Sequence, residues 1–543
     1  MTAQFTTPPT APPVAVTRPQ LAVRFGWRRL LALPNVLTAL YMLAVGAMML
    51  RHAMWRDEAQ AFLIARDSRS LGELLWNMRF EGHPPLWQFL LWIITRFTQR
   101  PEAMQALHLL MAAGTVYLVT RFSPYPLLAK ILFPFGYYMI FEYGIIARNY
   151  KMFVLLLAAL CTVWQYRRAE GTRCFVWLGV LLALTHVLGL ILGAGFGVML
   201  LAESALTPSG RKAVRRHWWR FSVGMLLAAA SAAWSVYLLK PPADTSFAIG
   251  WSTDFTAGHV QVTRYTLWNG LVPIDHAGVE FWDENILVPI NGGGRDPLAA
   301  AAFWGPLVAA GCFLLVVTSW RAVLYLLVAL SGALTFAHIK MYHLYGIGGG
   351  TRHHGVYFIA VLVACWIAWS GKTAWPAPWW RRLYWLPPRL GFTALLGVQA
   401  YAAIVPLEAC RQYPFSMSRQ TADALRPKLG PDDILTGPID YMIGPVAVYL
   451  PGHDVFLADE GQWRSFAYWR LIPPQTRKPT LTWAMQIARE KNRPVDIVYY
   501  GAYPTPPGAE RLCSVTGPCV QGDETYTVVR IKPPPASAAT PLP

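Results

Sequence analysis

Charge is in short supply in this chain. Only 14% of its 543 residues are charged and 55% are hydrophobic, where an average soluble protein is about a quarter charged. That shortage excludes an ordinary soluble domain, whose surface could not be covered. Acidic residues are scarcer than basic ones, 29 against 47, for a net charge of +18. In a soluble protein that excess would raise nucleic acid. Here the clusters Arg24 to Arg29, Arg211 to Arg220 and Arg381-Arg382 lie in short segments between apolar runs. The positive-inside bias produces that pattern, so no nucleic acid is expected as a partner. Cysteine is sparse too, with seven residues and no zinc or redox spacing. Cys513 and Cys519 are the one close pair, and a disulfide and two unpaired thiols are both open. Ser370-Gly371-Lys372-Thr373 imitates the end of a phosphate loop, but position 366 is Trp and no strand precedes it, which excludes that kind of nucleotide site.

What the chain has in abundance is apolar runs approaching the roughly 20 residues that cross a bilayer. Its 24 Trp fit an interfacial belt. Residues 1–22 and 533–543 are Pro-rich and read as disordered tails. Arg24, Arg28 and Arg29 precede the run Leu30 to Leu50, which reads as a retained first span with a cytoplasmic N-terminus. Leu86 to Phe97 opens behind Pro84-Pro85, a position that Pro tolerates. Further apolar segments lie near 103–120, 125–147, 150–166, 174–203, 221–239, 298–319, 322–337, 355–370 and 390–408. Reading 174–203 as two helices broken at Thr185-His186, with one earlier segment re-entrant, keeps Arg167-Arg168 inside and the C-terminus outside. The expectation is an all-α polytopic membrane protein with roughly 11–13 transmembrane helices in residues 23–408. Its external loops are 51–84, 240–297 and 338–355, and loops of such length tend to be functional. From 409 to 532, short apolar strands (Asp433 to Thr436, Asp454 to Ala458, Asp496 to Tyr500, Tyr526 to Ile531) alternate with helical patterns near 419–428 and 481–491. They predict a small external α/β domain.

The first external loop carries Asp57 and Glu58 just beyond span one. Ser70-Leu71-Gly72-Glu73 follows as a capping box, with Leu71, Leu74, Leu75 and Met78 at helical spacing, so a short helix on the membrane surface is expected. A carboxylate at a juxtamembrane helix start stays ionised and suits a general base; a merely solvated helix start is the alternative. Glu81 and His83, with Gly82 between them, end the loop as candidates for acceptor, donor or metal positioning, or as an exposed Glu and a capping His. Arg352, His353 and His354 follow three glycines and open a span. That pattern makes an anion site for a lipid phosphate or a nonspecific head-group contact. Asp275, His276, Glu280, Asp283, Glu284 and Gly292-Gly293-Gly294 mark the 240–297 loop. Glu142, Arg148 and Lys151 lie at or in apolar segments, where charges face a cavity or each other. A structural Glu142–Arg148 pair competes with phosphate binding by Arg148 and Lys151. His186 is read as a packed histidine or a positioning residue.

Trp55-Arg56-Asp57-Glu58, followed by Phe80-Glu81-Gly82-His83-Pro84-Pro85-Leu86 at the second span, resembles the GT-C superfamily of membrane glycosyltransferases. The pattern is most similar to the protein O-mannosyltransferase and aminoarabinose-transferase branch. Tyr143 to Tyr150 and Arg352 resemble family features less specifically. The resemblance implies a polyprenyl-phosphate sugar donor, a glycan, lipid or protein acceptor, inverting transfer on the external face, and a place in the cell's inner membrane. It implies Asp57 as the base with Glu58 beside it, and Glu81 and His83 on the acceptor or phosphate side. The aminoarabinose branch has Lys where this chain has His83. Some GT-C branches bind a divalent metal at the acidic pair, which leaves a metal open. A transporter of lipid-linked sugars and a non-catalytic membrane assembly protein are the competing classes. Transporters show repeats and broken midplane helices; here no repeat is found and the charges cluster in external loops.

Overall fold

The computed structural model describes residues 32–166, 172–246, 253–279, 281–282, 285, 290–291, 294–295, 297–341, 350–370, 379–473 and 479–534. The tails 1–22 and 535–543, Arg24 to Arg29, Arg167-Arg168, Glu280, Asp283, Glu284, Gly292-Gly293 and residues 342–349 lie outside them.

Seven described helices are long and apolar enough to cross a bilayer: Leu33–Arg51, Glu102–Phe122, Val187–Leu206, Trp218–Leu239, Trp320–Lys340, Thr351–Trp369 and Leu386–Gln412. Leu86–Thr95, Tyr150–Gln165 and Gly305–Val316 are apolar but shorter. The all-α polytopic architecture is as expected, and part of the expected helix count resolves into broken pieces. The 125–147 segment divides into an α-helix at Leu127–Leu132, a 3-10 turn at Phe133–Phe135 and a π-helix at Tyr138–Ile145. Pro134 lacks an amide donor and cannot continue the helical ladder. The 174–203 run divides as its polar break predicts, into Thr172–Ala183 and Val187–Leu206. His186 caps the second piece, its Nδ1 accepting from Leu188 N at 3.0 Å.

Thr351–Trp369 is the axis of the bundle, buried from His354 to Trp369. Lipid is as apolar as leucine, so close packing rather than water avoidance holds such helices together. Two glycines permit that closeness. A Cβ on Gly355 would collide with Tyr138 and Tyr143, and one on Gly270 would collide with the carbonyl of His354. The N-terminus of this helix is thereby locked in place.

The 51–84 loop folds into helices Arg56–Asp67 and Leu71–Asn77 and a 3-10 turn at Met78–Phe80. Ser70 Oγ accepts Glu73 N at 3.2 Å as predicted, while the Glu73 carboxylate turns to Arg69 N instead of closing the box. Leu71, Leu75 and Trp76 remain exposed, an apolar face suited to the bilayer surface.

The C-terminal domain is a mixed six-stranded sheet in the order Gln462–Trp463, Asp454–Leu457, Ile434–Gly437, Val495–Tyr500, Tyr526–Ile531, Glu510–Val515. The central Ile434–Gly437 is parallel to both neighbours, with Ile434 opposite Asp454 and Val495. The four predicted strands are present, with helices at Ser418–Leu425 and Thr480–Lys491. Two strands and the Asp440–Ala447 helix escaped the pattern. Cys513 and Cys519 are both free thiols. The domain sits on the first loop: Tyr449 OH accepts Met54 N at 2.8 Å, Ser418 Oγ donates to Met54 O at 2.8 Å, and Tyr468 OH donates to Asn77 Oδ1.

Candidate active site

The site grows from the Arg56–Asp67 helix. Asp57 is its second residue, where the helix dipole favours a carboxylate. Glu524 of the C-terminal domain caps the same end, its Oε1 accepting Arg56 N at 2.9 Å, while Arg56 pairs with Asp523 at 2.7 Å. Asp57 Oδ2 lies 3.2 Å from Arg352 Nη1 and 3.6 Å from Arg148 Nη1. Arg148 also donates to the Asp57 carbonyl. Burial alone would raise the Asp57 carboxyl, but Arg148, Arg352, Arg56 and His83 outweigh it and hold the group below its ordinary value.

Glu58 goes elsewhere. It is fully buried, with Oε2 2.6 Å from His52 Nε2 and Oε1 accepting Ala147 N at 2.6 Å. The adjacent carboxylates therefore do not converge. Asp57 faces two guanidiniums, Glu58 is occupied, and among the described residues no three His, Cys, Asp or Glu side chains gather to hold an ion. The acidic pair does not fit a divalent metal.

Glu81-Gly82-His83 makes a tight turn. Gly82 has φ +62°, a left-handed conformation that glycine adopts freely. The turn brings His83 Nδ1 2.6 Å from the Glu81 carbonyl, so Nδ1 carries the proton and Nε2 is the acceptor. Burial, with Arg148 adding to it, pushes His83 down to about 4 and leaves the ring neutral at pH 7. Burial pushes the Glu81 carboxyl up to about 7, against hydrogen bonds from Gln60 and Trp469. The imidazole of His83 meets that of His186 edge-on at 5.4 Å. Leu86 N donates to Leu184 O at 3.1 Å, which ties this turn to the break before His186.

Arg352 reaches Asp57 from the N-terminus of the central helix. Its guanidinium lies 5.0 Å from the Trp55 ring centroid and 6.0 Å from that of Trp282. Its carbonyl accepts from Tyr143 OH at 2.7 Å. His353 and His186 flank Tyr150, with ring centroids at 6.0 and 4.7 Å. The cluster thus gathers Asp57, Glu81, His83, Arg148, His186, Arg352 and His353. Two other predicted donor-site residues lie apart. His354 turns to Asn269, whose Nδ2 is 2.9 Å from its Nδ1. Lys151 is buried with Nζ 3.3 Å from the Met139 carbonyl. Glu142 accepts from Trp282 Nε1 at 2.7 Å, so the partner of Arg148 is Asp57 and not Glu142. Asp275 is buried beside Asn285, and His276 contacts the Ala277 carbonyl.

Sequence reasoning marked Trp55 as the aromatic of the first-loop motif but assigned no role to Gln60, Trp282 or Trp469. Gln60 stands three residues after Asp57, one helical turn on the same face, and that spacing was available. Trp469 carries no local signal. Chemically, the arrangement offers an ionised carboxylate, two cations and a protonatable Glu81 at one mouth of a membrane bundle.

No protein-family model matches the chain, and no curated protein matches it. Among solved structures it is similar to ArnT from Cupriavidus metallidurans in the apo state, at 12% identity, over 93% of this chain and 98% of that one, with a TM-score of 0.52. It is also similar to the same protein bound to undecaprenyl phosphate, at 12% identity over 93% and 99% with a TM-score of 0.50. The likeness is one of fold.

Proposed function

We propose that this chain is a GT-C glycosyltransferase of the inner membrane. It moves a sugar from a polyprenyl-phosphate donor to a glycan, lipid or protein acceptor on the external face, with inversion. The N-terminus is then cytoplasmic and the C-terminal domain periplasmic. The observation that carries this reading is Asp57 set against Arg148 and Arg352. A base and a phosphate-binding pair are what sugar transfer from a lipid phosphate requires. The fold is shared with a protein solved with undecaprenyl phosphate, which supports the donor class.

The chemistry follows from the groups. The acceptor's oxygen or nitrogen attacks the anomeric carbon from the side opposite the phosphate. Its new bond to carbon forms as the carbon–oxygen bond to phosphate breaks. The acceptor proton passes to Asp57, and the electron pair leaves with polyprenyl phosphate. Arg148 and Arg352 balance the charge that develops on that oxygen, the kind of preorganised help worth about 3–4 kcal/mol per donor. His83, His186 and His353, with Tyr150, line the approach. Glu58, His354 and Lys151 serve the frame.

Native mass spectrometry of wild type beside Arg352→Ala, with added polyprenyl-phosphate sugar, tests the reading. Retention by wild type and loss by the variant is expected. If neither folded form retains any lipid phosphate, the reading falls.

A further inference from the structure

The indole Nε1 of Trp469, in the C-terminal domain, donates to Glu81 Oε1 at 3.1 Å, and Gln60 Nε2 donates to the same oxygen at 2.8 Å. Gln60 is itself clasped by that domain. Its Nε2 also donates to Ala467 O at 2.6 Å, and its Oε1 accepts Ala467 N at 3.1 Å. Trp469 is anchored on two further sides. Its ring centroid is 5.3 Å from that of Tyr441. Its carbonyl accepts Ser246 N at 2.7 Å and Thr245 Oγ1 at 3.1 Å, and Arg470 pairs with Asp244 at 2.9 Å. The first loop and the C-terminal domain thus meet at one carboxyl, and residues 244–246 brace Trp469 from behind. Both donors fall on Oε1; among the described residues, Oε2 accepts no hydrogen bond.

We infer that Trp469 is a positioning residue: with the Gln60–Ala467 clasp it fixes Oε1 of Glu81 and presents Oε2 to the acceptor's hydroxyl or amine. The inference rests on the transferase reading for the identity of the ligand. Indole suits the task because its apolar body excludes water while its single N–H only donates. The charged groups acting on Glu81 are Arg148 and Asp57. The bond from Trp469 favours the ionised carboxyl, so its removal shifts the Glu81 titration upward.

Infrared difference spectroscopy of the full-length protein reads that titration directly, with Glu81→Gln assigning the band. Trp469→Phe keeps a ring against Tyr441 and removes the donor. The expected result is an upward shift of about half to one pH unit, with the acceptor KM raised about three- to tenfold and donor retention unchanged. Tyr449→Phe, which loses a different interdomain bond to Met54 N, is expected to leave the band in place. A band that titrates alike in wild type and Trp469→Phe, or one that Tyr449→Phe moves equally, overturns the inference. If Trp469→Phe does not fold, Gln60→Met removes the other donor and repeats the test. A shifted band without transfer by wild type keeps the clasp and overturns the transferase reading. Transfer by wild type with neither band nor KM moved in the variant does the reverse.

Discussion

Arg352 Nη1 stands 3.2 Å from Asp57 Oδ2, and the two side chains are only 20% and 21% exposed. In that half-buried setting their attraction exceeds that of a surface pair, and the Trp55 face helps to fix the guanidinium. A carboxylate held this way stays ionised but is a weak base. On the proposed chemistry, a donor phosphate draws a guanidinium toward itself, and Asp57 regains basicity when the leaving group is in place.

Asp57→Asn keeps the shape and removes the proposed base. A general base contributes about 10²- to 10⁴-fold, so kcat is expected to fall by that range while lipid-phosphate retention persists. Single-turnover transfer with radiolabelled donor, beside native mass spectrometry, separates the two effects. A variant that transfers sugar at the wild-type rate would remove Asp57 from the role.

Arg352→Lys keeps the charge and loses the planar fork. A hydrogen bond to a charged group contributes about 1.5–3 kcal/mol, so donor affinity should weaken about 10- to 100-fold. Arg352→Ala should weaken it further. Equal affinity of the Lys variant and wild type would mean that a point charge suffices.

Glu81 gives a pH signature. Its folded carboxyl titrates at about 7, against an ordinary 4.5. The unfolded chain therefore releases that proton first, and this group lowers stability as pH rises from about 4.5 to 7, with no further change above. Glu81→Gln removes that slope. Thermal unfolding should show the variant gaining on wild type at pH 8 relative to pH 5. A constant difference across both conditions would count against the raised titration. His83 runs the opposite way. Its folded titration near 4, against 6.5, lowers stability as pH falls through that window.

The first loop was legible because its determinants are local. Ser70, Pro85 and the Asp57 position each act within a few residues, and Arg352 announced itself beside a glycine run. The pairing of Arg148 was not. Its neighbour Glu142 lies in a π-helix at Tyr138–Ile145, and the chain turns between the two, sending Glu142 to Trp282 and Arg148 to Asp57. The role of Trp469 was not legible either, because nothing within its own strand-and-loop pattern points to Glu81. Glu58 shows the converse limit. Adjacency to Asp57 suggested a shared task, yet successive helical residues diverge by about 100°.

Glu58 should behave as a structural residue. Glu58→Ala leaves the Ala147 amide and His52 buried without their acceptor, and each such loss costs about 1–3 kcal/mol. A lower unfolding temperature is expected, with transfer per folded molecule kept within a fewfold of wild type. A variant that folds as wild type and transfers no sugar would return Glu58 to the catalytic set.

Gly82 tests whether the Glu81–His83 turn matters for chemistry beyond stability. A Cβ there meets nothing within 4 Å, so sterics against neighbours do not enter. The strain in Gly82→Ala comes only from φ +62°, about 1–2 kcal/mol for an L-residue. If the backbone keeps the turn, the variant unfolds slightly earlier and transfers normally. If it relaxes toward negative φ, the 2.6 Å contact between His83 Nδ1 and the Glu81 carbonyl opens. Both side chains then leave the mouth. The proposed site requires the turn, so any Gly82→Ala protein that has lost the His83 contact by NMR of its labelled imidazole is expected to lose transfer with it. Retained transfer alongside a lost contact would show that the turn serves folding alone.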